Sequence, residues 1–307
     1  MVIRYRILFF ICLLSLFFIP LNKVFAAPPS VSEIRVADVT TRYFSVVWIA
    51  SEPSTANLLV YDAPDCNALV NGINIIGEGN DTTGVIKATV TGLAPATTYC
   101  FQTETESKGT AEITYSPATP QAVTTESQTT RTYLQNSSNL PFGNDLIYHP
   151  VYSYLQVPGS GNILMAYVNG GSNPVSSWIG DGIATPDTLI DLNNIYSVSS
   201  RENMNLHGDE RLRLVEVRGT DGCTIERWRK IPLDTELVSV KPPDPCFDKA
   251  DLNCDNSVTI LDILRDIGGF NTMAGDYCYN SDLDMNNSGS VTILDILNVI
   301  GKFGTQR

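Results

Sequence analysis

Residues 251–264 read DLNCDNSVTILDIL, and residues 284–297 read DMNNSGSVTILDIL. The first residues of the two stretches are 33 positions apart, and the run VTILDIL is identical in both. A match of this length within so short a segment indicates an internal duplication. The fold of the C-terminal part of the chain is therefore set by one unit that occurs twice.

Each copy places oxygen-bearing side chains at positions 1, 3, 5, 9 and 12, counted from its first aspartate. With a backbone carbonyl at position 7, this is the ligand pattern of an EF-hand-type calcium loop. Ca2+ takes about six to eight oxygen ligands, which a tight loop of this composition can supply. The candidate ligands of the two predicted Ca2+ sites are Asp251, Asn253, Asp255, the carbonyl of Ser257, Thr259 and Asp262, and Asp284, Asn286, Ser288, the carbonyl of Ser290, Thr292 and Asp295.

Position 6 of such a loop turns sharply, which favours the glycine at 289 and, as the next best residue, Asn256. A single stretch of this kind could equally be an ordinary turn rich in Asp, Asn and Ser. Two copies in register, each leading into an apolar segment, favour calcium binding. The first loop has three carboxylates and the second has two, so the first is predicted to bind the ion more tightly.

Position 12 is aspartate in both copies, whereas helix–loop–helix sensors use glutamate there. The stretches before the loops, PPDPCFDKA and GDYCYNS, are also poor helix formers. This tandem of loop-then-helix units, within residues 243–307, resembles the dockerin module. The resemblance implies calcium-dependent docking onto a cohesin-type domain in an extracellular or cell-surface assembly.

Apolar residues follow each loop at i, i+3, i+4 and i+7, which predicts one amphipathic helix per copy, ended by glycine. The dockerin resemblance implies that positions 10 and 11 contact the partner, with two pseudo-symmetric faces that could bind alternately. These residues are Ile260, Leu261, Ile293 and Leu294. The alternative is that the same four residues pack the two helices against each other.

The N-terminus, MVIRYRILFFICLLSLFFIPLNKVFA, has two arginines before a short apolar run and a small residue at position 26. This predicts a cleaved signal peptide over residues 1–26, with a retained membrane anchor as the alternative. Cleavage removes three positive charges and moves the net charge from −13 to −16. Such acidity argues against a nucleic-acid partner, and no later segment is apolar enough to span a membrane. We therefore expect a secreted protein.

Residues 27–126 are predicted to form an all-β sandwich. Turn residues separate six short β-rich runs: VSEIRV, YFSVVWI, ANLLVYD, GVIKATV, TYCFQTETES and ITYSPATPQAV. Trp48, Tyr61 and Tyr99 are expected in the core. The phrase GLAPATTYCF resembles the tyrosine corner of fibronectin type III domains, which implies that the Tyr99 hydroxyl bonds to the preceding chain. Domains of this kind act as spacers or binding modules.

Six cysteines follow residue 26, and outside the cytosol they are expected to form disulfides. Strand alternation turns Cys100 outward, where Cys66 can meet it. The dockerin arrangement has antiparallel helices with the loops at opposite ends, which disfavours Cys246 with Cys278. The preferred pair is Cys246 with Cys254, which leaves Cys278 and the cysteine at 223 unassigned.

Residues 127–242 contain further runs of strand length, namely VYSYLQV (151–157), NILMAYV, TLIDL, RLRLVEV and TIERWRKI. They predict a second β-sandwich that resembles carboxypeptidase regulatory-like, or transthyretin-like, modules. The segment KPPDPC, residues 241–246, is expected to act as a stiff linker that holds the repeat module away. The predicted fold class is thus multidomain: two all-β sandwiches followed by a small α-helical module with tandem calcium loops.

The cluster His207, Asp209 and Glu210 lacks the context of a metalloprotease motif, and the chain contains no GxSxG elbow. We therefore expect a non-catalytic protein. The alternatives are a dockerin-tagged glycoside hydrolase acting in polysaccharide breakdown, and a surface adhesin that calcium merely rigidifies. A carbohydrate partner could use Trp178 or Trp228 as a stacking platform, although core packing is the usual role of such residues.

Overall fold

The computed structural model describes residues 27–127, 145–148, 161–179, 188–191, 195–204, 210–219, 224–230, 246–276 and 278–307. The predicted signal peptide, the run 151–157, both histidines, Cys223 and linker residues 241–245 lie outside the described residues. The described part is mostly β-sheet with two short helices. None of its helices is long and apolar enough to cross a membrane.

The first domain is a seven-stranded antiparallel β-sandwich. Its sheets have the orders β1-β2-β5-β4 and β3-β6-β7, the four-plus-three arrangement of constant-type immunoglobulin sandwiches. Strand β4 was not predicted, because its sequence, NIIGEG, lacks clear alternation and lies at a sheet edge. The strands are β1 Val31–Ala37, β2 Tyr43–Ala50, β3 Ser54–Asp62, β4 Asn74–Gly79, β5 Val85–Thr91, β6 Thr98–Ser107 and β7 Ile113–Thr124.

The core of this sandwich contains Trp48, whose indole N–H donates to Thr105 Oγ1 at 3.0 Å. The Tyr99 hydroxyl accepts from the N–H of Ala94 at 3.0 Å, so the predicted bond to the preceding chain is confirmed. The prediction for Tyr61 was wrong, because this side chain is only half-buried. Its neighbour Val60 points into the core, and strand alternation places Tyr61 on the opposite face.

The middle segment contains a four-stranded antiparallel sheet of order β10-β9-β12-β13 and a separate pair, β8 with β11. Strands β8 and β10 were not predicted. One face of the larger sheet forms its own apolar core with residues such as Leu164, Leu212, Ile179 and Ile195. The strands are β8 Asp145–Tyr148, β9 Ile163–Val168, β10 Val175–Trp178, β11 Thr188–Asp191, β12 Arg211–Val217 and β13 Thr224–Lys230.

The other face of this sheet packs directly on the first sandwich. Met165 and Val215 lie in one buried cluster with Val47 and Val85 of the first domain. Polar contacts also cross the boundary: the Asp38 carboxylate accepts from the N–H and hydroxyl of Ser176, both at 2.6 Å. The two sheets of the first sandwich and the four-stranded sheet of the middle segment are therefore stacked in three layers, and the middle segment does not stand apart from the first domain.

The sequence of β2, YFSVVWIA, already indicates that both faces of this strand are covered. A strand with one exposed face alternates apolar and polar residues, whereas β2 is apolar at nearly every position and is buried on both faces. Val46 and Trp48 face the sandwich core, and Val47 and Ile49 face the neighbouring sheet.

The repeat module contains two short helices, α1 Ile260–Gly268 and α2 Ile293–Gly301. Its small core comprises Ala250, Leu252, Val258, Tyr279, Leu283, Val291 and Val299. Backbone bonds link the two copies: the N–H of Asn271 donates to Val291 O at 2.9 Å, and that of Ala274 donates to Gly289 O at 2.7 Å. The segment that follows α1 thus supports the second loop.

The module lies against strand β13, so the expectation that the proline-rich linker holds it away was wrong. Arg229 of β13 donates to Asp282 of the module at 2.7 and 3.1 Å. Arg265 of α1 pairs with Glu226 of β13. Complementary charges on the two surfaces hold them in contact, whatever the stiffness of the segment that joins them.

Candidate calcium loops and apolar helical faces

In the first loop, the carboxylates at positions 1 and 12 are buried and held by backbone donors. Asp251 accepts from the N–H of Asp255 at 3.1 Å and of Asn256 at 3.0 Å. Asp262 accepts from the N–H of Asn253 at 3.2 Å and of Thr259 at 2.7 Å. These bonds close the loop around its acidic side chains.

The second loop repeats this arrangement. Asp284 accepts from the N–H of Ser288 at 2.9 Å and of Gly289 at 2.7 Å. Asp295 accepts from the N–H of Asn286 at 3.2 Å and of Thr292 at 2.7 Å. The internal repeat is therefore preserved down to individual hydrogen bonds.

The turn predicted at position 6 is confirmed in both copies. Asn256 has φ 69° and Gly289 has φ 84°, both in the left-handed region. Glycine reaches this region without steric cost, and asparagine does so more readily than other residues with a side chain.

The remaining candidate ligands lie along the same loops. The side-chain oxygens of Asn253 and Asn286 each accept a backbone N–H two residues ahead at 2.9 Å. Asp255 accepts from the N–H and hydroxyl of Ser257 at 3.0 and 2.7 Å, and the Ser288 hydroxyl donates to the carbonyl of Ser290 at 3.1 Å.

Positions 9 and 12 also begin the helices. Thr259 and Thr292 are the N-cap residues of α1 and α2, and their hydroxyls accept a backbone N–H at 3.3 Å. Asp262 and Asp295 complete a capping box by accepting from the N-cap N–H. Each aspartate thus orders the helix start as well as the loop, a dual role that the ligand spacing alone did not reveal.

The electrostatics of the first loop favour a cation. Burial raises the pKa of Asp251 to about 6, and the nearby carboxylates of Asp262 and Asp255 add to the rise, although backbone donors oppose it. A divalent ion would relieve this like-charge repulsion. For Asp255 and Asp295, burial also opposes ionisation, but hydrogen-bond donors outweigh it and each pKa lies below its usual value.

The residues present therefore fit Ca2+. Within the described ranges, no three His, Cys, Asp or Glu side chains form a metal cluster by themselves. Amide, hydroxyl and carbonyl oxygens would have to complete each coordination shell, and the EF-hand loop uses such mixed ligands.

The two loops are supported differently at equivalent positions. Cys246 and Tyr279 are 33 residues apart, so each stands five residues before its loop. Cys246 is disulfide-bonded to Cys254 inside the first loop, as predicted, whereas the Tyr279 hydroxyl donates to Asp284 of the second loop at 2.8 Å. Lys249 adds a further support by donating to the Asp284 carbonyl at 2.6 Å. Neither Tyr279 nor Lys249 is indicated by the ligand spacing of the repeat.

The predicted pair Cys66 and Cys100 is also confirmed. Cys100 stands opposite Tyr61 in the register of β3 and β6, on the face away from the core, as alternation requires. Cys278, which had no assigned partner, is disulfide-bonded as well.

The apolar faces of both helices are exposed. Ile260, Leu261, Ile293 and Leu294 are 55%, 57%, 55% and 59% exposed, so they do not pack the helices together as the alternative required. Further large exposed apolar side chains extend the two faces. They are Leu264 and Ile267 of α1 with Phe270 just after it, and Leu297 and Ile300 of α2 with Phe303 just after it. Large exposed apolar surfaces are typical of interaction sites in proteins.

Trp228 does not offer an open ring to a sugar. It is buried, and the guanidinium groups of Arg211 and Arg265 lie 5.4 and 5.3 Å from its ring centroid. The indole N–H of Trp178 donates to Glu78 across the domain boundary at 2.9 Å, and its ring packs on the shared cluster. Both tryptophans thus serve contacts within the protein.

Comparison with protein-family models gives no match, and neither does comparison with the curated proteins. Two similar solved structures are a C-terminal and an N-terminal interface mutant of a type II cohesin–X–dockerin complex from Acetivibrio cellulolyticus. The identities are 15% and 14%, each similarity covers 53% of this chain and 97% of the other, and both TM-scores are 0.21. Similarity at this level does not establish a common fold.

The two loops are expected to differ in affinity. Loop one has a third carboxylate, Asp255, where loop two has Ser288, so Ca2+ should fill loop one first. The amides of Asn256 and Gly289 are matched reporters, because each donates to the first aspartate of its own loop. A calcium titration followed by these two amide resonances should show Asn256 responding at lower calcium. A response of Gly289 before Asn256 would contradict the ranking.

Proposed function

We propose that this is a secreted, non-catalytic modular protein whose C-terminal module binds two Ca2+ ions and docks onto a cohesin-type domain in an extracellular or cell-surface assembly. In this proposal the β-sheet domains support and present the module. The observation that carries it is the pairing of two matched acidic loops with two exposed apolar helical faces. Each loop leads directly into the helix that bears one of these faces.

Calcium would act by shaping the docking surface. Asp262 and Asp295 belong to a loop and to a helix cap at the same time, so an ion bound to them would also order the helix start. Ile260 and Leu261 are the first two residues of α1, and Ile293 and Leu294 are the first two of α2. The apolar contact residues therefore lie where ion binding has its strongest structural effect.

The experiment is a pull-down of the mature chain on a panel of cohesin-type domains, in calcium and in EDTA. We expect retention by at least one domain in calcium and loss in EDTA. If the two faces bind alternately, Leu261→Asp or Leu294→Asp alone should weaken binding by about twofold, and the double variant should abolish it. Equal retention in calcium and EDTA would refute calcium-dependent docking.

The matched control is Val198→Asp, which places the same charge on an equally exposed apolar residue of the middle segment. This variant should bind as well as the unmodified chain. The helical circular dichroism of each variant should match the parent, which separates a lost contact from a lost fold. A double face variant that binds like the parent would show that the partner uses another surface.

A further inference from the structure

Strand β13 and the repeat module meet through charged side chains that are largely withdrawn from water. Arg229 forms a bidentate pair with Asp282, and the Arg227 guanidinium lies 3.7 Å from the same carboxylate. Burial opposes ionisation of Asp282, but Arg229 and Arg227 outweigh it and hold its pKa below the usual value. Charge-assisted bidentate pairs of this kind are among the stronger polar contacts in proteins.

The amide of Asn280 adds a second link. Its oxygen accepts from Arg227 Nε at 3.2 Å, and its nitrogen donates to the carbonyl of Glu226 at 3.1 Å. The same oxygen accepts the N–H of Asp282 at 3.1 Å, which fixes the position of Asp282 relative to Asn280. Asn280 and Asp282 are thus held in one local turn.

This turn runs directly into the second calcium loop. Within residues 279–284, Tyr279 bonds to Asp284 of the loop, whereas Asn280 and Asp282 contact β13. The Tyr279 hydroxyl holds the Asp284 carboxylate at 2.8 Å, and the N–H of Leu283 donates to Asn280 O at 3.1 Å. Asp284 and Asp282 are therefore tied to the same short turn, two residues apart.

We propose that calcium binding in the second loop is thermodynamically coupled to the docking of the repeat module on strand β13, with residues 279–284 as the link. The inference rests on the proposed calcium function. An ion in loop two would fix Asp284, and through it the turn that presents Asn280 and Asp282 to β13. Conversely, contact with β13 orders that turn before the ion arrives and so favours binding.

Coupling of this kind is reciprocal. If docking on β13 strengthens calcium binding in loop two by some factor, calcium must strengthen docking by the same factor. Loop one connects to β13 differently, through Arg265 of α1, which pairs with Glu226. Removing the contact between Arg229 and Asp282 leaves that pair in place, so the effect on calcium affinity should be largest at loop two.

The decisive variant is Arg229→Gln, because simple electrostatics and coupling predict opposite results. Arg229 is a cation on β13, so its removal should tighten Ca2+ binding if only the local charge mattered. Coupling predicts the reverse, since the variant removes the bidentate contact with Asp282. We expect the calcium dissociation constant reported by the Gly289 amide to rise about fivefold or more, and that reported by Asn256 to stay within about twofold.

The control is Lys302→Gln, which also removes one positive charge and one ion pair of the module, that with Asp248 at 3.3 Å. This contact does not involve β13, so loop-two affinity should not fall. A second measurement needs no substitution: in the unmodified chain, calcium should slow amide hydrogen exchange along β12 and β13. Unchanged exchange there would count against coupling, even if Arg229→Gln failed to fold.

The outcomes separate the two proposals. Normal calcium responses in both loops with unchanged or tighter loop-two binding in Arg229→Gln would overturn the coupling alone. Absence of any calcium response at Asn256 and Gly289 in the unmodified chain would overturn the calcium function, and the coupling with it.

Discussion

The Asp262→Ala variant is expected to lose calcium binding in the first loop and about 3–5 kcal/mol of the free energy of unfolding of the repeat module. The Asp262 side chain is fully buried and accepts three bonds, from the N–H of Asn253 and from the N–H and hydroxyl of Thr259. Alanine leaves these donors without an acceptor in a buried site, removes half of a capping box and deletes a bidentate-capable ligand.

The measurement combines urea unfolding with a count of bound calcium. Both described helices belong to the repeat module, so the helical circular dichroism signal follows its unfolding. Calorimetry should show the calcium stoichiometry falling from two ions to one. Asp276→Ala is the control, because Asp276 is exposed and accepts a single turn N–H, from Met273, at 2.8 Å. It should cost less than about 1 kcal/mol and leave both ions bound. Two ions bound to Asp262→Ala would remove this residue from the ligand set.

The local features were predictable because each depends on residues close in sequence or on strict alternation. The positive φ at Asn256 and Gly289 follows from the position of the turn within the repeat. The Cys66–Cys100 disulfide follows from the face of β6 that Cys100 occupies, which points away from the core and towards the loop that contains Cys66. A periodic pattern states directly which side of an element is buried.

The contacts between domains were not predictable in the same way, because they depend on pairs of surfaces distant in sequence. The apolar outer face of β2 indicates that something covers it, but it does not identify the sheet of β9 and β12 as the cover. The sequence alone is equally consistent with Arg227 and Arg229 facing solvent and with their pairing with Asp282. The proline-rich composition of the linker bears only on how stiff the linker is, and not on whether the repeat module contacts β13.

At one buried position of the helices the two copies of the repeat differ, and the difference affects the stability of the module. Residue 266 of α1 is aspartate, whereas its equivalent 33 residues later is Val299, and both side chains are fully buried. Neither carboxylate oxygen of Asp266 has a hydrogen-bond partner within the described part of the chain. Burial, together with a smaller contribution from the charge of Asp295, raises the pKa of Asp266 to about 7. The second copy shows that the fold accepts an apolar residue here.

Asp266→Val is therefore expected to stabilise the module, and the gain should grow with pH. The unfolded chain ionises Asp266 near its ordinary pKa of about 3.9, so folding must keep a proton on the group or bury a charge. Because the folded pKa is raised, stability is lost as pH rises from the unfolded value through about 7, and the loss is complete above it. The expected gain is about 4 kcal/mol at about pH 8 and roughly half of that near pH 5.5.

Urea unfolding in saturating calcium at the two pH values tests this directly, and burial, the main cause of the shift, does not depend on calcium. Asp266→Asn is the matched variant: it removes the ionisation but keeps the shape and a buried polar group, so it should abolish the pH-dependent part and gain less overall. Asp276→Asn, at an exposed position, should leave the pH dependence unchanged. A gain in Asp266→Val that is equal at both pH values would show that packing alone, and not the buried charge, separates the two copies of the repeat.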